Sequence, residues 1–125
     1  MVKRWQRTPP AAVPGDYGVT LCTVRDRDGR LHIREWDGCS PAVAYMRIPH
    51  ATRDFDPAFW KSQTLGDALP DGDLFYLVAR RSGPFPKRVR MLRYDAARGL
   101  FGGTDREWFA YAPVPDPYVP AGMWR

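Results

Sequence analysis

Apolar and polar positions alternate along residues 19–25 (VTLCTVR) and again along 31–36 (LHIREW), the period-two signature of half-buried strands. Asp28-Gly29 lies between them and tolerates the positive φ of a tight hairpin turn. A two- or four-residue loop would set Cys22 and Val24 on one face with Leu31 and Ile33, the expected core face. Val19, Leu21 and Trp36 would then lie opposite, beside His32 and Arg34. That second face is too apolar to be wholly wet, so a covering element is expected.

The same pattern returns in residues 70–95, PDGDLFYLVARRSGPFPKRVRMLRYD, which predict two strands joined by a Gly/Pro-rich loop. Residues 14–25 align loosely with 70–80, and each strand pair ends in an aromatic-Asp step, Trp36-Asp37 and Tyr94-Asp95. Two such hairpins can pair or pack into one antiparallel sheet. Between them, AVAYMRI, framed by Pro41 and Pro49, predicts a short strand.

Asp56-Pro57 has the form of a helix start, with Asp capping free N–H groups and Pro at the first helical position. Residues 64–67 (TLGD) resemble a second capping sequence, so two short helical pieces are expected, with Leu65 and Leu69 pointing together into the core. Glycines at 99, 102 and 103 mark a loop, and EWFAYA over 107–112 predicts the last strand. The expected fold is therefore α+β and β-rich. It is a single antiparallel sheet or small open barrel of two hairpins plus a C-terminal strand, with one or two short helices.

Composition adjusts this picture at a few points. With 125 residues, 44% of them hydrophobic, the chain is expected to be one domain with a real core. Residues 1–15 read as an extended arm that lays Trp5 on the body. Residues 113–125, with prolines at 113, 115, 117 and 120, read as a polyproline-like tail. That tail is expected to pack Tyr118, Met123 and Trp124 across its own domain. No apolar run approaches the roughly 20 residues of a membrane span, and the basic N-terminus lacks the apolar core of a secretory signal. A cytoplasmic location is the expectation.

Charge is strongly local. Residues 80–98 hold seven cations, Arg80, Arg81, Lys87, Arg88, Arg90, Arg93 and Arg98, against Asp95 alone. The remaining chain has 12 basic and 13 acidic residues, so this segment accounts for all of the net +5. If those side chains share a sheet face their fields add and draw an anionic partner. The plainer alternative is a solvated strand face that resists edge-to-edge aggregation. Phe85, Tyr94 and Trp108 are the aromatic side chains placed to accompany the cations.

Catalytic signals are sparse. The pairs Asp26/Asp28, Asp54/Asp56 and Asp71/Asp73 sit at turns, where Asp is favoured for its local backbone hydrogen bonds. Cys22, Cys39, His32 and His50 fit no zinc spacing, Cys22 reads as a buried thiol within a strand, and neither a phosphate loop nor a cofactor motif is present. The expected function is a non-catalytic binding module meeting an acidic protein through the 80–98 surface. Nucleic-acid binding by Arg and aromatic side chains is the first alternative. A small enzyme using Cys39, His50 or an Asp pair is the second.

Trp5 followed by Pro9-Pro10, together with Trp108 and the prolines at 113, 115 and 117, resembles small domains of unknown function encoded by phages and prophages. The resemblance covers the two ends alone. It implies a mobile-element accessory protein and transfers no functional residue.

Overall fold

The computed structural model describes residues 4–11, 13, 15–53, 55–62, 65–70, 72–102 and 108–120. Among these residues seven strands follow in chain order: β1 (Val19–Arg25), β2 (Leu31–Glu35), β3 (Ala44–Ile48), β4 (Phe75–Ser82), β5 (Phe85–Asp95), β6 (Leu100–Phe101) and β7 (Trp108–Pro113). They form two antiparallel sheets, ordered β2-β1-β3 and β6-β5-β4-β7. The two hairpins thus head separate sheets and do not join one. A single core requires those sheets to face each other: Val19, Leu21, Met46 and Ile48 of the first pack with Leu77, Ala79, Val89, Ala110 and Ala112 of the second.

The second sheet is apolar on its other face as well. There Val78, Tyr94, Phe101 and Tyr111 form a separate cluster with Tyr76, Leu92, Trp108 and Leu69 around them. The two-residue β6 supplies Phe101, whose ring lies 4.8 Å from Tyr94 and 5.7 Å from Tyr111. A sheet buried on both faces needs cover on both, which is why one open sheet could not satisfy this sequence.

The first hairpin differs from expectation by one residue of register, with large consequences. Arg25 pairs with Leu31 and Leu21 with Glu35, while the Asp26 N–H donates to the Arg30 carbonyl. The turn is therefore an odd one, Arg27 to Gly29, with Gly29 at φ +78°. Asp26 fixes it by accepting the N–H groups of Asp28 and Arg30, both at 2.9 Å. A one-residue change moves every side chain to the other face. The core face accordingly carries Val19, Leu21 and Thr23 opposite Ile33, and Cys22 and Val24 oppose Arg34 and His32. Cys22 is nonetheless buried, and burial raises its thiol pKa above the ordinary value.

The α component is absent: no α-helix occurs among the described residues. Asp56 does cap a turn, accepting Ala58 N–H on its carboxylate and Phe59 and Trp60 N–H on its carbonyl. The turn stops there because Lys61 exchanges two backbone hydrogen bonds with Tyr111, of 2.7 and 2.9 Å, at the open edge of β7. Tertiary pairing outcompetes a one-turn helix, whose nucleation is unfavourable. Downstream, Asp67 closes a small loop onto Ser62, with Gly66 at φ +83°. Leu65 is exposed, and only Leu69 reaches a core cluster. Thr64 of the expected cap, Asp54, Asp71, Glu107, Met123 and Trp124 lie outside the described residues.

The described parts of both terminal segments lie on the domain. Gln6 bridges to Tyr45 and so covers the edge of β3, while Trp5 packs on the core and donates its indole N–H to the Asp116 carbonyl at 2.9 Å. The tail returns across the first sheet, where Tyr118 N–H reaches the Thr23 hydroxyl at 3.0 Å. No helix among the described residues is long and apolar enough to cross a membrane.

Candidate interaction surface

Among the described residues, the second hairpin extends past its neighbours in the sheet. On one side β7 pairs with β4 as far as Arg80–Trp108, and on the other β6 pairs with β5 at Tyr94 and Asp95, with Gly102 N–H donating to the Arg93 carbonyl. Arg81, Ser82 and the Gly83-Pro84 turn, with Phe85 and Pro86, form a two-stranded ribbon beyond the last described β7 pairing. Four of the seven cations gather at this end: Arg80, Arg81, Lys87 and Arg88.

Register divides them between the two faces of the ribbon. Arg80 opposes Lys87 and Ser82 opposes Phe85, so these share one side. Arg81 opposes Pro86 on the other, where its guanidinium lies 4.8 Å from the Phe109 ring centroid. Arg80 also donates through Nε to the Arg88 carbonyl at 3.2 Å, which ties its side chain along the ribbon. Arg81 and Arg88 are exposed, and Phe85 at the turn is 72% exposed.

The remaining three cations stand apart. Arg90 binds Glu35 of β2 through Nε at 2.9 and 3.1 Å, and Glu35 also accepts the Met91 N–H at 2.9 Å. This pair bridges the two sheets. Arg98 lies 3.6 Å from Asp95 at the opposite end of β5, and Arg93 is exposed near Asp73 and Asp95. The aromatic candidates separate similarly: Tyr94 is 2% exposed and Trp108 is half-buried in the second cluster, which leaves Phe85 at the surface.

A double bulge aims the ribbon. Between Val78 and Arg80, β5 inserts one extra residue, and between Ala79 and Arg80 β7 inserts Phe109. The bulge turns Val89 N–H away from β4, and it donates to the Tyr17 carbonyl at 2.8 Å. It also leaves the Arg80 carbonyl to accept from His50 Nε2 at 2.7 Å. Phe109 stacks beside His50 with ring centroids 6.3 Å apart, and Phe55 meets Phe109 edge-on. Tyr17, Phe55 and Phe109 thereby adjoin the cationic end, and the sequence reading missed all three. The one local signal was the GDYG turn, where Tyr17 takes φ +53°.

His50 is fully buried, and its Nδ1 accepts the Thr52 N–H at 3.1 Å. With Nε2–H donating to Arg80, the ring is neutral, and burial holds its pKa below the usual 6.5; the Arg80 carbonyl and Asp16 oppose that shift. The unfolded chain therefore binds a proton that the fold does not. Stability from this group is complete above about pH 6.5 and is lost as pH falls towards the folded pKa, by at most about 1.4 kcal/mol per pH unit. Urea midpoints measured from pH 7.5 to 5 should fall less steeply for His50→Gln than for the parent; equal slopes would refute this role.

Of the carboxylates raised as candidates for chemistry, Asp26, Asp56 and Asp73 hold local backbone structure. Asp26 and Asp56 cap turns, Asp73 accepts Ala96 N–H at 2.7 Å, and Asp37 is held below the usual carboxylate range by Ser40 and Cys39. A cleft of about 590 Å³ on the outer side of the first sheet is lined by Arg25, Asp26, Arg27, His32 and Arg34 over Val24 and Val43. Neither Cys39 nor His50 lines it. Comparison with protein-family models, curated proteins and solved structures finds no match to this chain.

Proposed function

We propose that the chain is a non-catalytic binding module whose second hairpin presents its cationic end to an acidic protein surface. The observation that carries this reading is the ribbon: Arg81, Arg88 and Phe85 are exposed there, beside the half-buried Arg80 and Lys87, and the sequence has no acidic residue from Leu74 to Tyr94. One exposed aromatic at the tip of a ribbon that carries cations on both faces suits an anchor-and-charge contact with a protein. A single-strand nucleic-acid platform uses a series of stacking rings, and burial of Tyr94 leaves that series short. The module works in the cytoplasm in this reading, as an accessory protein of a phage or mobile element, the origin that its terminal segments imply.

The test pairs two probes, a 20-residue poly-glutamate peptide and a mixed-sequence 20-nucleotide single strand, each titrated at rising salt. The peptide should bind the parent chain, and Arg81→Glu with Arg88→Glu should weaken it about tenfold or more, through two reversed charges. Arg98→Glu, at the far end of β5, should leave binding within twofold. Tighter binding of the oligonucleotide, with steep counterion-release dependence, would replace this reading by the nucleic-acid one. Equal loss from Arg98→Glu would remove the hairpin end from the argument.

A further inference from the structure

The edges of the two sheets are treated unequally. Gln6 covers β3, Lys61 covers β7, and Tyr17 and Glu35 take outward N–H groups of β5. β2 has no such cover among the described residues. In its ladder with β1, Asp26 N–H bonds the Arg30 carbonyl and Trp36 N–H bonds the Thr20 carbonyl, so even-numbered residues face β1. The main-chain groups of Leu31, Ile33 and Glu35 therefore point outward.

Beside this edge the sandwich has a seam. Glu35 fastens it at one end through Met91 N–H and Arg90. Towards Leu31 it opens into a groove of about 390 Å³, lined by Leu31, Ile33, Phe75, Met91, Val114 and Pro115. The other face of β2 shows His32 and Arg34, both exposed. A strand added here would alternate its side chains between the apolar groove and that cationic face.

We propose that β2 is a β-augmentation site for an extended segment of a partner protein in which apolar residues alternate with Asp or Glu. Main-chain hydrogen bonds to Leu31, Ile33 and Glu35 would supply the affinity. Groove and charge would supply the specificity. A second copy of this chain fits poorly: a twofold pairing centred on Ile33 sets His32 against Arg34 of the partner copy, so the directly opposed pair gains no opposite charge. The site shares no residue with the hairpin end, so the two proposals fail separately.

The probe is a capped eight-residue peptide of alternating valine and glutamate, titrated into the isotope-labelled full chain. Amide exchange at Leu31, Ile33 and Glu35 should slow, and methylating alternate peptide nitrogens should weaken binding about tenfold or more by removing two or more hydrogen bonds. Arg34→Glu should invert the preference towards a valine–lysine peptide, while Arg81→Glu with Arg88→Glu should leave the affinity within twofold. Ile33→Pro should also abolish binding; Arg34→Glu carries the test should that variant fail to fold. Unchanged exchange at β2, indifference to methylation, or equal binding of glutamate and lysine peptides would overturn the proposal. So would protection that grows with protein concentration alone, which would assign the edge to a second copy.

Discussion

Replacing Trp60 by alanine should destabilise the protein by about 3–5 kcal/mol, the range for a buried aromatic truncated in a core that cannot collapse around the loss. Trp60 is fully buried in the cluster shared by the two sheets, with Phe59 edge-on at 5.1 Å. It is anchored on both sides, by the Asp56 turn that accepts its N–H and by the Lys61–Tyr111 bridge, so the backbone cannot settle inward. Against a total stability of roughly 5–15 kcal/mol this is a large fraction. Its indole Nε1–H has no hydrogen-bond partner among the described residues, and an orphaned buried donor costs about 1–3 kcal/mol. Trp60→Phe deletes that donor together with part of the ring, so its loss should be well under half that of alanine. Chemical denaturation of both variants at equal m-value checks this. Similar losses would mean that the indole N–H is satisfied after all and that ring volume alone sets the cost.

Trp60 also shows where local reading stops. The sequence around it carries a helix start, and Asp56 does what that signal says for one turn. What ends the turn is the edge of β7, some 50 residues further along, which offers Lys61 two backbone hydrogen bonds. Strand existence was legible for the opposite reason: alternation in 19–25, 31–36 and the 70–95 hairpin is a local property, and each segment became a strand. Face assignment was not legible. It turned on whether Asp26 belonged to the turn or the strand, and one residue decided that Leu21 rather than Cys22 faces the core.

The charged hairpin divides along the same line. Sequence placed seven cations within 19 positions and could not see that Glu35, from the other sheet, reaches Arg90. Nor could it see that a two-residue strand would carry Phe101 over Tyr94 and remove that ring from the surface. Phe85 was readable because the Gly-Pro turn beside it leaves nothing to cover it. His50 looked isolated because its acceptor, the Arg80 carbonyl, becomes available only where two neighbouring strands bulge at the same level.

Gly18→Ala should cost at least the roughly 1–3 kcal/mol of an overpacked core, although Gly18 has no positive φ to explain it. A methyl there would lie 2.3 Å from the Ile48 carbonyl oxygen and 2.9 Å from Pro49 Cα, both main-chain atoms of the β3 side. No rotamer relieves that contact; β1 and β3 must separate where Val19 meets Ile48. The chain has little slack for it. Asp16 accepts the Gly18 N–H at 2.9 Å and pairs with Arg47 of β3, while the next carbonyl, Tyr17, holds Val89 of the other sheet at 2.8 Å. Three ties meet within three residues, and they join both sheets at one corner. Gly15→Ala gives the contrast, since its neighbourhood is open and only its φ of +77° resists a side chain, at about 1–2 kcal/mol. Gly18→Ala should therefore be the more damaging of the two, and it should speed amide exchange at Val89, which reports the tie to β5. If Gly15→Ala proves worse, or Val89 keeps its protection, the corner is not what fastens the second hairpin to the first sheet, and the ribbon's aim must come from the double bulge alone.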